Sequence, residues 1–66
     1  MKIRVNGQIR EVAEGASVGQ LLAAFELEPV RVAVEVNEEL VPRTTFQDHI
    51  LSAGDQVEIV TFVGGG

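Results

Sequence analysis

Val30, Val32, Val34 and Val36 alternate with Arg31, Ala33, Glu35 and Asn37, and this pattern constrains the fold more than any other stretch of the chain. In an extended strand successive side chains point to opposite faces, so a period of two gathers the valines on one side and leaves mostly polar groups on the other. β-Branched side chains suit a pleated surface and are poorer choices for a helix. Such a strand needs hydrogen-bonding neighbours along its edges and an apolar layer over its valine face, and the remaining chain has to supply both.

The N-terminal residues offer the first neighbours. Lys2-Ile3-Arg4-Val5 alternates polar and apolar, Asn6-Gly7 is a strong two-residue hairpin signal, and a returning strand runs from Gln8 to Val12. A two-residue loop sets Val12 opposite Met1 and Arg10 opposite Ile3. A three-residue loop would match Val5 with Ile9 instead; the first register is preferred. Asn6 and Gly7 read as turn residues rather than binding residues, because turn chemistry accounts for them. The apolar layer comes next. Ser17 stands three residues before Gln20 in a capping-box spacing, which opens a helix at Val18, and Val18, Leu21, Leu22 and Phe25 form one stripe at i, i+3, i+4 and i+7. Pro29 is expected to end this helix, since proline cannot continue one and disfavours helical backbone at Glu28.

After the valine strand, Asn37-Glu38-Glu39 turns into Leu40-Val41, a short piece that Pro42 marks as an edge. From Thr44 to Leu51 the pattern is irregular, and Phe46, Ile50 and Leu51 are expected to pin a short helical turn onto the core. Ala53-Gly54-Asp55-Gln56 reads as a turn. Val57 to Phe62 then forms the last strand, with Val57 and Ile59 on one face and Val60 and Phe62 on the other, a two-sided apolar character that suits an inner strand. The order is strand, strand, helix, strand, short strand, short turn, strand. It predicts an α+β fold, a mixed sheet of about five strands with one main helix across it, the first strand central and parallel to the last.

Size and charge bound the function. A chain of 66 residues makes one domain, residues 1–63, followed by a flexible glycine tail, residues 64–66, and is too small to enclose and orient a substrate easily. Carrier, adaptor or binding module is therefore favoured over enzyme. There is no cysteine, which excludes disulfides, thiolate metal sites and a Cys nucleophile. The single histidine, His49, has no partner at motif spacing and reads as a surface or cap residue; no catalytic set, bound cofactor or metal site is expected. A net charge of -5 argues against nucleic acid and for partners with basic surfaces. Glu26, Glu28, Glu35, Glu38, Glu39, Asp48 and Glu58 read as a solvated surface, with a guiding role in docking as the sharper reading. Met1-Lys2-Ile3-Arg4-Val5 resembles neither a signal peptide nor a membrane span, so a soluble, cytoplasmic protein is expected.

The sequence closes on Val60-Thr61-Phe62-Val63-Gly64-Gly65-Gly66. Without a Cβ, Gly64, Gly65 and Gly66 can stay extended, adopt positive φ and thread a narrow channel, leaving a carboxylate on Gly66 sterically open. A carboxylate is a poor electrophile until a partner activates it, so the chemistry would belong to that partner. Val60, Phe62 and Val63 would form an apolar patch beside the tail for the activating enzyme to cover, or a loop would cover them.

Three stretches together carry a resemblance: Val5-Asn6-Gly7 at the first turn, Val36-Asn37-Glu38-Glu39-Leu40-Val41-Pro42-Arg43 in the middle, and Gly54-Asp55-Gln56-Val57-Glu58-Ile59-Val60 leading to the glycines. In that order they resemble the ubiquitin-like β-grasp, and more narrowly the sulfur carrier proteins of thiamine biosynthesis. That family typically stops at two glycines and often carries a tryptophan where this chain has Phe46; here Gly64 adds a third glycine. The resemblance implies that a partner enzyme, using ATP and Mg, adenylates the carboxylate of Gly66. Sulfur from a persulfide-carrying protein then replaces the adenylate, and the resulting thiocarboxylate is delivered to thiazole synthase. The alternatives are a carrier of the molybdopterin-synthase type, and a ubiquitin-like protein modifier or interaction module.

Overall fold

The computed structural model describes residues 1–62. Strands β1 (Lys2–Val5) and β2 (Gln8–Glu11) are followed by helix α1 (Val18–Ala24), then β3 (Val32–Val36), β4 (Glu39–Val41) and β5 (Gln56–Thr61). They form one sheet in the order β2-β1-β5-β3-β4. Only β1 and β5 run parallel; the other neighbours are antiparallel. The α+β class and the mixed sheet agree with the sequence reading, with one correction to the strand order. β1 is an inner strand, but the centre belongs to β5, because β1 spends one edge on its own hairpin partner while β5 joins both halves of the sheet.

The first hairpin adopts the two-residue register, with Ile3 opposite Arg10 and Val5 opposite Gln8. Val12 lies just past β2, its N–H donating to the Met1 carbonyl at 2.8 Å. Asn6 and Gly7 have φ of 50° and 81°, the two positive values that a hairpin turn of this twist demands. At the second hairpin Asn37 and Glu38 repeat that backbone, with φ of 53° and 71°.

Helix α1 starts where the capping box places it. The Ser17 hydroxyl accepts from the Gln20 N–H at 3.1 Å, and the Gln20 side chain accepts from the Ser17 N–H at 2.9 Å. Seven residues make a helix too short to stand alone, so burial holds it. Val18, Leu21 and Leu22 are buried against Ile3, Val5, Val32, Val34, Val36, Val57 and Ile59, and Phe25 packs half-buried at their edge with Arg10 over its ring. Pro29 does not end the helix. Termination comes earlier, at a left-handed Glu26 (φ 60°), where the Glu26 and Leu27 N–H groups close back on the carbonyls of Ala23 and Leu22.

Pro29 instead opens a 3-10 turn over Pro29–Arg31. This takes Val30 out of the strand and leaves it exposed, so the valine face of β3 is Val32, Val34 and Val36 alone. In the later loop Phe46 and Leu51 are buried as expected, whereas Ile50 is exposed. The cause is a local bridge between Ser17 and Ile50, which holds this stretch extended so that neighbouring side chains face opposite ways. The same loop passes close over the start of α1: the Gly19 N–H donates to the Phe46 carbonyl at 2.9 Å, and a Cβ on Gly19 would meet the amide end of the Gln47 side chain. The atoms it would meet are the far end of an exposed, flexible side chain that can swing aside, so the close approach of the loop is a feature of packing that helical periodicity does not show.

Candidate functional site

α1 covers one face of the sheet. No other described residue covers the opposite face, and β5 displays it. Val57 and Ile59 point into the core at 1% and 8% exposure, while Val60 and Phe62 are 60% and 56% exposed. The alternation of the strand makes this division unavoidable: once Val57 and Ile59 pack under α1, Glu58, Val60 and Phe62 share the opposite side. Of the sequence-derived docking residues, the structure brings Val60 and Phe62 together on this outer face. Val63, Gly64, Gly65 and Gly66 lie outside the described residues.

Register assigns further side chains to the same face. β3 pairs antiparallel with β5, placing Ala33 opposite Val60 and Glu35 opposite Glu58; on the other side of β3, Leu40 of β4 stands opposite Glu35. Leu40 is 67% exposed, an unusual outlay of apolar surface for a strand that contributes only three residues. The ladder continues past β5, since the Phe62 N–H donates to the Arg31 carbonyl at 2.8 Å. Ala33, Glu35, Leu40 and Glu58 were not singled out as members of one site by sequence. Period-two patterning puts Ala33, Glu35 and Glu58 on the side away from the core, but it leaves the facing of Leu40 open and does not tell which strands lie side by side.

Two asparagines fix the strand that carries this face. Ile59 has its N–H and C=O directed toward β1, yet the β1 backbone turns away at Gly7. The Asn6 side chain fills the gap: its Oδ1 accepts from the Ile59 N–H at 2.8 Å and its Nδ2 donates to the Ile59 carbonyl at 3.1 Å. From the other edge Asn37 holds the start of the strand, accepting from the Gln56 N–H at 3.0 Å and donating to the Asp55 carboxylate at 3.0 Å. The position of Val60 is therefore set by direct bonds to the residue before it. Asn6 does more than shape a turn.

His49 is half-buried beside the start of α1, where its backbone carbonyl accepts from the Val18 N–H at 2.9 Å. Among the described residues, no group of three or more His, Cys, Asp or Glu side chains is placed to hold a metal ion, and no helix is long and apolar enough to cross a membrane. What the arrangement offers is a rigid central strand, an exposed face that is apolar and acidic along β3, β4 and β5 with Lys2 and Arg4 of β1 beside it, and a run of glycines in the sequence just beyond that strand.

The comparisons with known proteins converge. The model of the ThiS family matches residues 3–66. The chain is 38% identical over 66 residues to a thiazole synthase of Paramagnetospirillum magneticum, but spans only 20% of that protein's length, and the same share of a thiazole synthase of Magnetococcus marinus. It is 32% identical to the sulfur carrier protein ThiS of Escherichia coli K12, covering all of both chains. Among solved structures, the crystal structure of thiamine biosynthesis protein ThiS from Geobacter metallireducens superposes with a TM-score of 0.84 at 38% identity, again over all of both chains.

Proposed function

The chain belongs to the ThiS family and has its ubiquitin-like β-grasp fold, and from that premise we propose that it is a sulfur carrier of thiamine biosynthesis. The single observation that carries this reading is that the family match runs through residue 66 and so takes in Gly64, Gly65 and Gly66. The work of the carrier is divided between a fold that is recognised and a tail that reacts. The Gly66 carboxylate attacks the α-phosphorus of ATP in the active site of an adenylating enzyme, which uses Mg, and pyrophosphate leaves. The acyl adenylate that results has a good leaving group. The terminal sulfur of a protein persulfide attacks the carbonyl carbon and AMP departs; a thiol then cleaves the sulfur–sulfur bond, leaving a thiocarboxylate on Gly66. The carrier supplies no catalytic residue, and with no cysteine in its sequence it has nowhere else to hold the sulfur.

Thiazole synthase is the acceptor this reading assigns. Its support is that a segment similar to this whole chain forms part of two longer proteins named thiazole synthase. Joining two modules in one chain raises their effective concentration for each other, which is useful where one must repeatedly visit the other. Val60, Phe62 and Val63 make the apolar part of the docking surface, and we place the carrier in the cytoplasm, where ATP and reducing thiols are available.

Mass spectrometry tests the proposal. Incubation with ATP, Mg, an adenylating enzyme of this family's type and a persulfide donor is expected to give a C-terminal mass gain equal to exchanging one oxygen for sulfur. Deleting Gly66 draws the carboxylate back by about 3.5 Å, the reach of one extended residue, and is expected to slow adenylation about 100-fold or more with an unchanged thermal melt. A Gly66 deletion that is activated at the normal rate moves the reactive end to another residue. Conjugates to other proteins in place of the thiocarboxylate would make the chain a modifier.

A further inference from the structure

The outer face of the sheet contains an arrangement that folding alone does not favour. Glu35 and Glu58 stand directly opposite each other across β3 and β5, both exposed. Like charges in that relation destabilise a sheet. Among the described residues neither is in an ion pair: the Met1 amine is with Glu11 and Glu14, and Arg31 is with Glu28. Arg4, which stands opposite Gln56 on this same outer face, donates to the Gly7 carbonyl at 3.4 Å, and Arg10 lies over Phe25 on the covered face. The two carboxylates are framed by Val60 and Ala33 on one side and by Leu40 on another. Phe62 lies beyond Val60 on the same face. An acidic pair set in an apolar border, with no ion-pair partner among the described residues, is complementary to a cationic side chain emerging from an apolar surface.

We infer that this face docks the adenylating enzyme through one basic side chain, arginine fitting best, which inserts between Glu35 and Glu58 while apolar side chains around it cover Leu40, Ala33, Val60 and Phe62. The inference rests on the carrier reading and specifies its partner surface. A guanidinium presents several N–H donors in one plane and can serve two carboxylates together, which an ammonium does less well. The adenylating enzyme is the fitting occupant because it must surround the phosphates of ATP with positive donors. Its active-site mouth therefore carries a positive field that attracts a chain of net charge -5. Glu58 lies on β5, the strand that leads into the glycines, and Glu35 stands beside it on β3, so an enzyme holding the pair would have the tail beside its active site.

The test compares two doubly substituted proteins of equal charge. Glu35→Gln/Glu58→Gln removes the pair; Glu26→Gln/Asp48→Asn removes two exposed carboxylates that do not belong to the outer sheet face. Affinity for the adenylating enzyme and for thiazole synthase is measured by titration calorimetry at two salt concentrations, alongside single-turnover adenylation and thermal melts. The first variant is expected to bind about tenfold more weakly or worse and to lose most of the salt dependence, with a melt equal to or above that of the unsubstituted protein. The second is expected to stay within about twofold, as a rim or remote charge does. Equal losses in both variants would reduce the effect to overall charge and overturn the docking site. So would an unchanged affinity in the first, or a loss confined to thiazole synthase. In each of those cases normal adenylation of the unsubstituted chain would leave the carrier reading standing; an unsubstituted chain that is never adenylated fails that reading, and the docking inference falls with it.

Discussion

The two hairpins of this protein solve the same backbone problem with different residues. At the first, Asn6 and Gly7 take positive φ; at the second, Asn37 and Glu38 do. Both begin with asparagine, and in both the side-chain amide reaches past the turn to bond β5, at Ile59 from one edge and at Gln56 and Asp55 from the other. The hairpins thus act as two clips on the central strand. They differ in depth and in strain. The Asn6 bonds are partly buried and replace a strand that has turned away, whereas the Asn37 bonds are exposed and Asn37 also has a backbone bond to the same residue, its N–H donating to the Gln56 carbonyl at 2.7 Å. Gly7 bears positive φ without a Cβ; Glu38 bears it with one. The clip nearest the exposed face has its left-handed second position filled by glycine, and the more distant one does not.

Replacing each asparagine by glycine separates clip from turn, because glycine accepts the same φ, and its backbone effects, relief of left-handed strain against greater freedom in the unfolded chain, oppose each other and are common to both sites. Asn6→Gly is expected to cost about 2 kcal/mol, roughly 1 for each bond lost where water reaches the partners poorly, which lowers the melt of so small a domain by about 8 to 16 °C. The Ile59 amide should exchange with solvent markedly faster, since no β1 backbone remains to hold it. Asn37→Gly should cost no more than about 1 kcal/mol, because water can replace its exposed bonds, and should leave Ile59 protected. Equal losses from the two substitutions would erase the distinction in depth.

The sequence exposes half of this arrangement. Val18, Leu21, Leu22, Val32, Val34 and Val36 are legible as core because their spacing matches the period of the element they occupy, and the Ser17–Gln20 box is legible because its partners are three residues apart. Asn6-Gly7 declares its turn for the same local reason. The amide clip does not show, since Ile59 lies 53 residues away in sequence. Val30 misleads because the period of two carries on through Pro29–Arg31 after the backbone has left the strand. Within the candidate site, Val60 and Phe62 follow from a strand apolar on both sides, and the acidity of Glu35 and Glu58 is plain. Their juxtaposition is a matter of register between β3 and β5, which β4 and a long irregular loop separate in sequence, and no local pattern encodes it. Ile50 departs from its expected burial for a related cause: it answers to the bridge that ties this loop to the start of α1.

Glu38→Gly is expected to produce the smallest effect, and the opposite sign. A left-handed residue with a Cβ carries a cost of about 1 to 2 kcal/mol, which glycine removes. Against that gain stands the greater freedom of glycine in the unfolded chain, about 0.5 to 1 kcal/mol. Glu38 is exposed and is in no ion pair among the described residues, so no lost contact offsets the relief. The balance is a gain of about 0.5 kcal/mol, or roughly 2 to 4 °C in the melt of a domain this size. Asn37 should keep its bonds to Asp55 and Gln56, because its own φ does not change; amide exchange at Gln56 reports this directly. A stabilised variant with an unchanged Gln56 amide shows that the second hairpin tolerates strain at Glu38 independently of its clip. A destabilised one means that the Glu38 side chain contributes something the turn geometry does not require, and the two hairpins are then less alike than their backbones.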